Sequence, residues 1–361
     1  SPGLSAMLRR QMQPPHGARN RILIYVATTL RSIATAMTGV LAGIFLARLH
    51  LLPAAIGVVI AAGLAGGALA ALLATVSADA FGRRRFLLVL ALMTAGGGLV
   101  VAFASSQLII AAAAFFGMLN GMGKDRGAAL AVEQAILPAT APEERRTSVF
   151  AFYNVLQSGG AALGALMAGL PSLLVRAAAM PETAALRIAI AVYASLIALT
   201  AVLYLGLTEE VEVYAPPTGL GVSPETRGVL IKLSALFALD SLGGGFLTQA
   251  LISLYFVERF GVNAATVGAL YFGASAANAL SQLIAPLLAR RIGLVNTMVF
   301  THLPSSVVLM LVPLAPNFAI AAALFLIRES MVQMDVPARQ SYVMAVVKPQ
   351  AAPPARMASS A

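Results

Sequence analysis

The residues best placed to do chemistry are charged side chains inside long apolar runs: Arg31; Lys124, Asp125, Arg126 and Glu133; Asp240; and Arg328, Glu329, Asp335 and Arg339. An ionisable group at bilayer depth is costly to hold, and it marks a path for a proton, an ion or a substrate. Asp240 is alone on its run and is the leading candidate for taking up and releasing a proton. Arg31, Asp125, Arg126, Asp335 and Arg339 are the next candidates, for coupling or substrate contact. A plainer reading stands beside this one. Asp335 and Arg339 are four apart and suit a local ion pair on one helical face. Arg328 and Glu329 sit in the outer part of their run and suit contact with water, and Lys232 can snorkel to the surface. Deep positive and negative charges nearly balance, so a solute of one strong sign is not demanded.

These side chains need membrane-spanning helices to position them. Of the 361 residues, 59% are hydrophobic and 11% charged, and the mean hydropathy is +0.87. Soluble domains carry about 25% charged residues. Stretches of about 20 apolar residues read as spanning helices. Ten such spans are expected, near Ile22–Ala47, Ala54–Ser77, Phe86–Ala104, Leu108–Leu137, Ser148–Val175, Ile188–Leu207, Gly228–Phe256, Ala265–Ala289, Leu294–Leu314 and Phe318–Val347. Residues 1–21 form an N-terminal tail and 22–207 a six-helix half. Residues 208–227 form a polar linker with Glu209, Glu210, Glu212 and Pro216-Pro217, residues 228–347 a second half, and 348–361 a Pro/Ala-rich tail. All four groups of deep charges then fall on spans one, four, seven and ten, a period of three helices. A water-filled cavity lined by the first helix of each three-helix unit accounts for that period.

The net charge of +10 does not point to nucleic acid, because the basic residues gather in short loops between apolar blocks. Arg83, Arg84, Arg85, Arg145, Arg146, Arg290 and Arg291 fall on the N-terminal side, against Arg48, Arg176, Arg187 and Arg259 on the other. Lys/Arg bias places the N-terminus in the cytoplasm, in a multi-pass protein expected in the cell (inner) membrane. With no cysteine, disulfides and thiolate metal sites are excluded. His16, His50 and His302 are too dispersed for a histidine metal centre. No cofactor or metal is expected, and no His cluster or Ser-Lys dyad suggests an intramembrane enzyme, so no catalytic residues are assigned.

The two halves are related. At an offset of 211, Gly57 falls on Gly268, Gly82 on Gly293, Phe45 on Phe256 and Arg48 on Arg259, while Asp125 falls one residue short of that register from Asp335. Arg31 lands near Asp240 at this offset and is a candidate partner for it. Internal repeats are common in transporter architectures.

The loop after span two reads Asp79-Ala80-Phe81-Gly82-Arg83-Arg84-Arg85. It resembles the major facilitator superfamily signature, G-x-L-a-D-R-x-G-R-[KR]. Asp79 takes the acidic position, Gly82 the turn glycine, and Arg83 and Arg84 the basic pair; Thr75 and Ala80 depart from the pattern. Leu288-Ala289-Arg290-Arg291-Ile292-Gly293 is a degenerate second copy, with Arg290 at the acidic position. The resemblance implies an all-α, two-half helical bundle of three-helix repeats whose spans one, four, seven and ten line a cavity. It also implies a secondary transporter moving a small molecule by alternating access, with a proton or other coupling ion. Asp79, Gly82, Arg83 and Arg84 would form a conformational latch, Asp79 accepting hydrogen bonds from a helix N-terminus. Gly159-Gly160, Gly164 and Gly169-Leu170-Pro171 on span five partly resemble the glycine-proline motif of the family's antiporters, which favours export. Gly117, Gly121, Gly123 and Gly127 on span four suit a packing face.

The family has twelve spans and the apolar pattern here stops after ten, as expected of a truncated member. The rival reading is a transporter-derived sensor or assembly protein that moves no solute.

Overall fold

A computed structural model describes residues 16–142, 145–212 and 247–332, with scattered positions between 231 and 245. Its described regular structure is helical. The first half begins with α1 (His16–Arg48), α2 (Pro53–Phe81) and α3 (Arg83–Phe103). Pro53 opens α2 where its missing N–H costs no hydrogen bond. Gly82 alone joins α2 to α3 at φ 98°, a backbone that only glycine adopts without strain. Gly293, its counterpart in the repeat, has φ 86° at the start of α11 (Leu294–Leu311).

Span four is not one helix. It comprises α4 (Gln107–Phe116) and α5 (Ala128–Ile136), separated by non-helical residues 117–127. Gly117, Gly121, Gly123 and Gly127 therefore form no packing face on a continuous helix; they unwind it. Each glycine favours helix by about 1 kcal/mol less than alanine, and Asn120 supplies competing bonds. Its Nδ2 donates to the Lys124 carbonyl at 2.8 Å and its Oδ1 accepts from the Met122 N–H at 2.8 Å. Met118 (φ 51°) and Gly123 (φ 70°) complete the interruption.

Span five is α6 (Arg146–Met167) and α7 (Leu170–Ala178), broken at Ala168-Gly169 ahead of Pro171; span six is α8 (Glu182–Leu205). Beyond the linker come α9 (Gln249–Phe260), α10 (Ala264–Ile292), α11 and α12 (Phe318–Val332). Thr248 caps α9, its Oγ1 accepting from the Leu251 N–H at 3.3 Å. Six described helical stretches are long and apolar enough to cross a membrane: Gly17–Arg48, Pro53–Phe81, Arg83–Phe103, Ser148–Ala178, Glu182–Leu205 and Val295–Leu314.

The chain divides into two compact units. The larger holds α1 to α9, α10 as far as Ala276 and the start of α12. Within it α1 is the buried axis: Ile24, Met37, Leu41, Phe45 and Leu46 are all buried. By contrast, Leu72, Val76, Phe103, Val155 and Val202 on the surrounding helices point outward, as lipid-facing side chains do. Helices α1 and α6 meet through glycine, since a Cβ on Gly160 would lie 2.8 Å from the Thr29 carbonyl oxygen and one on Gly164 would overlap that of Ile33. Phe256, the repeat partner of the buried Phe45, is itself buried and packs edge-on against Phe318 at 5.9 Å. The smaller unit holds α10 from Ala277, α11 and α12 from Ala323.

Candidate functional site

Arg31 leaves the middle of α1 and meets Asp125 from the C-terminal end of the span-four interruption and Glu133 from α5 just beyond it. Its Nε donates to Asp125 Oδ2 at 2.6 Å. Its two terminal nitrogens donate to the two oxygens of Glu133, each at 2.8 Å, the planar fork-on-fork pairing that guanidinium and carboxylate favour. Two tyrosines close the cluster. Tyr204 of α8 donates to Glu133 Oε1 and Tyr153 of α6 to Oε2, both at 2.7 Å, and Arg31 Nη1 also donates to Tyr204 at 2.5 Å. Gln157 Nε2 donates to the Asp125 carbonyl at 3.2 Å, tying the interrupted segment to α6. Glu133 is 0% exposed, Arg31 7% and Asp125 9%. The cluster thus holds two carboxylates against one guanidinium in a nearly dry setting, where charges interact strongly.

The unwound backbone builds this site. Asp125 is buried while both its neighbours, Lys124 and Arg126, are exposed. Close backbone contact holds the segment in place: a Cβ on Gly39 of α1 would overlap Gly123, and the Gly121 carbonyl accepts from the Ala250 N–H at 3.0 Å.

At the arginine-rich end, Arg83 and Arg84 bond helix carbonyls, Arg83 Nη1 to Ala135 at 3.1 Å and Arg84 Nη2 to Leu205 at 2.7 Å. Asp79 does not receive a helix N-terminus. Its carboxylate accepts from Arg83 Nε at 2.7 Å, one helical turn along. The backbone N–H groups of Arg83 and Arg84 instead donate to Glu212, at 2.7 and 3.1 Å. Gly82 lets that carboxylate approach, since a Cβ there would stand 3.2 Å from Glu212 Oε1. The start of the linker is therefore docked onto the α2–α3 turn. Losing a side-chain cap costs about 1 kcal/mol, so Glu212→Ala should lower the melting temperature measurably in detergent while leaving the helix content by circular dichroism near wild type.

In the smaller unit Glu329 is buried rather than facing water. It pairs with Arg328 and accepts from Asn278 Nδ2 at 3.1 Å. Asp240, Asp335, Arg339 and Lys232 lie outside the described residues, so an Arg31–Asp240 pair is not visible; the partners seen for Arg31 are Asp125, Glu133 and Tyr204, with a longer 3.4 Å bond to Thr28. Sequence reasoning counted Glu133 among the deep charges without giving it a role, and missed Tyr153, Tyr204, Gln157 and Glu212. The signal for the tyrosines was their position inside apolar spans, where a buried phenol needs a partner. Glu212 acts on residues 129 and 128 positions away in sequence, and no local pattern announces it.

Residues 24–359 match the Major Facilitator Superfamily. A membrane protein of Saccharomyces cerevisiae, YJR124C, is 25% identical over 367 residues, spanning 92% of this chain and 82% of the yeast protein. Among solved structures, the nucleoside transporter NupG aligns with a TM-score of 0.67 at 13% identity, over 92% of this chain and 83% of NupG. A bacterial homologue of the human lysosomal transporter Spinster, inward-facing and unoccupied, aligns with a TM-score of 0.67 at 15% identity, over 93% and 77%. The chain belongs to the Major Facilitator Superfamily. It has the all-helical fold of that family's transporters and is a membrane transport protein, not an enzyme.

Proposed function

We propose that the chain carries a small organic solute across the membrane by alternating access, coupled to protons through Arg31, Asp125 and Glu133. The carrying observation is the charge inequality: two buried carboxylates share one guanidinium. A proton on one carboxylate neutralises the cluster, and its departure leaves a net negative charge that a conformational change must relieve. Glu133 is locked by four hydrogen bonds. Asp125 sits on the unwound segment beside exposed residues, so it is the group that exchanges the proton. Asp240, Asp335 and Arg339 complete the coupling and substrate set from the second half. Asp79, Gly82, Arg83 and Arg84 form the latch that alternates with the two states. The N-terminus is cytoplasmic, and export is the favoured direction.

The test begins with a panel of small solutes at two pH values. A ligand that binds only the folded chain raises its melting temperature by mass action. The most stabilising solute is then followed in proteoliposomes under a pH gradient. Asp125→Asn should abolish uphill, proton-driven flux while sparing exchange of labelled for unlabelled solute. Uphill flux equal to wild type would remove the cluster from the coupling path. Absence of any flux in the wild type would favour the non-transporting reading.

A further inference from the structure

We infer that the transported solute carries an anionic group, a carboxylate or a phosphate, and that Arg126 on the unwound segment of span four binds it. This rests on the transport reading above. Arg126 lies deep in the fourth apolar run, 19 residues after Gln107 and 14 before Thr140. It is exposed, and among the described residues it has no hydrogen bond or ion pair. The carboxylates nearest in sequence, Asp125 and Glu133, are committed to Arg31. A guanidinium at this depth is tolerated where it faces water, not lipid. Non-helical backbone at membrane depth obeys the same rule, occurring where it is buried in protein or lines an aqueous cavity. Residues 117–127 supply that backbone.

The segment is in part buried in protein and in part open, and the exposed guanidinium at this depth puts water against Arg126, whose charge is not cancelled by Asp125 or Glu133. The guanidinium fork matches carboxylate and phosphate oxygens in pairs. A cationic solute would be repelled, and a neutral one would leave the fork without its preferred acceptor.

The chain contains no cysteine, so one introduced thiol reports alone. A Cβ at Gly127, next to Arg126, meets open space. The full chain carrying Gly127→Cys, in native membrane vesicles, is treated with an anionic and a cationic methanethiosulfonate of similar size. Each rate is normalised to that reagent's rate with a free thiol in solution. The anionic reagent should react about tenfold faster, a cleft potential raising local counter-ion concentration by that order. Arg126→Gln in the same background should remove most of the preference, and Arg126→Lys should keep it. Benzoate or phenyl phosphate should slow the labelling, whereas benzamide should not. The better protector of the two tells carboxylate from phosphate. Met122→Cys serves if Gly127→Cys does not fold.

No labelling, equal labelling by both reagents, a preference that survives Arg126→Gln, or protection by benzamide equal to that by both anions would each overturn the inference. Proton-coupled flux of a neutral solute would overturn it too, while leaving the transport reading intact.

Discussion

Arg31→Met should cost the folded chain about 3–5 kcal/mol, the range for removing one partner of a buried ion pair. The substitution keeps much of the side-chain volume but leaves Asp125 and Glu133 with no counter-charge in a dry interior. Four of the hydrogen bonds to those carboxylates come from Arg31 or depend on its position: those from Nε, Nη1 and Nη2, and the bond from the Tyr204 hydroxyl that Arg31 also contacts. The expected outcome in detergent is loss of the monodisperse species, or a large fall in melting temperature. Glu133→Gln is the informative contrast. It removes one of two negative charges, leaves Arg31 paired with Asp125 and keeps an acceptor for one tyrosine, so its penalty should be clearly smaller. Equal penalties for the two variants would mean that packing, not charge balance, governs the cluster.

Gly164→Val should destabilise by at least the 1–3 kcal/mol typical of an overfilled interior, because the obstacle is backbone rather than a flexible side chain. A Cβ on Gly164 already overlaps the Ile33 carbonyl oxygen, so even alanine would force α1 and α6 apart. That shift would disturb the Arg31 cluster, which sits on α1 one turn or less from the contact and takes Tyr153 from α6. Gly159, five residues away on the same helix, has open space where its Cβ would stand. Gly159→Ala should be neutral or gain up to about 1 kcal/mol in helix propensity. Melting temperatures of the two variants in detergent check this, and a similar loss in both would show that the α1–α6 contact is not the tight one.

What was legible in the residues was whatever depends on local composition. The cost of a charge in hydrocarbon and the length needed to cross it are properties of a short stretch, so spans and deep charges could be read directly. The tight turn at Gly82 was equally readable, since it needs one residue type at one place. The superfamily followed from a seven-residue loop, and the match over residues 24–359 agrees.

Pairing was another matter. The sequence shows nearly equal numbers of deep positive and negative charges, but not which neutralises which. Only the tertiary structure turns Asp125 inward to Arg31 and leaves Arg126 facing out, because that choice depends on an unwound segment held by α1, α6 and α9. The four glycines of span four suit either a helix-packing face or a break. Close approach of Gly39 to Gly123, from residues 84 positions apart, accompanies the break. Glu212 likewise meets the start of α3 from 129 and 128 positions away, a contact that only the tertiary fold makes. Local physics determined what each stretch could be, and long-range packing decided which charges met.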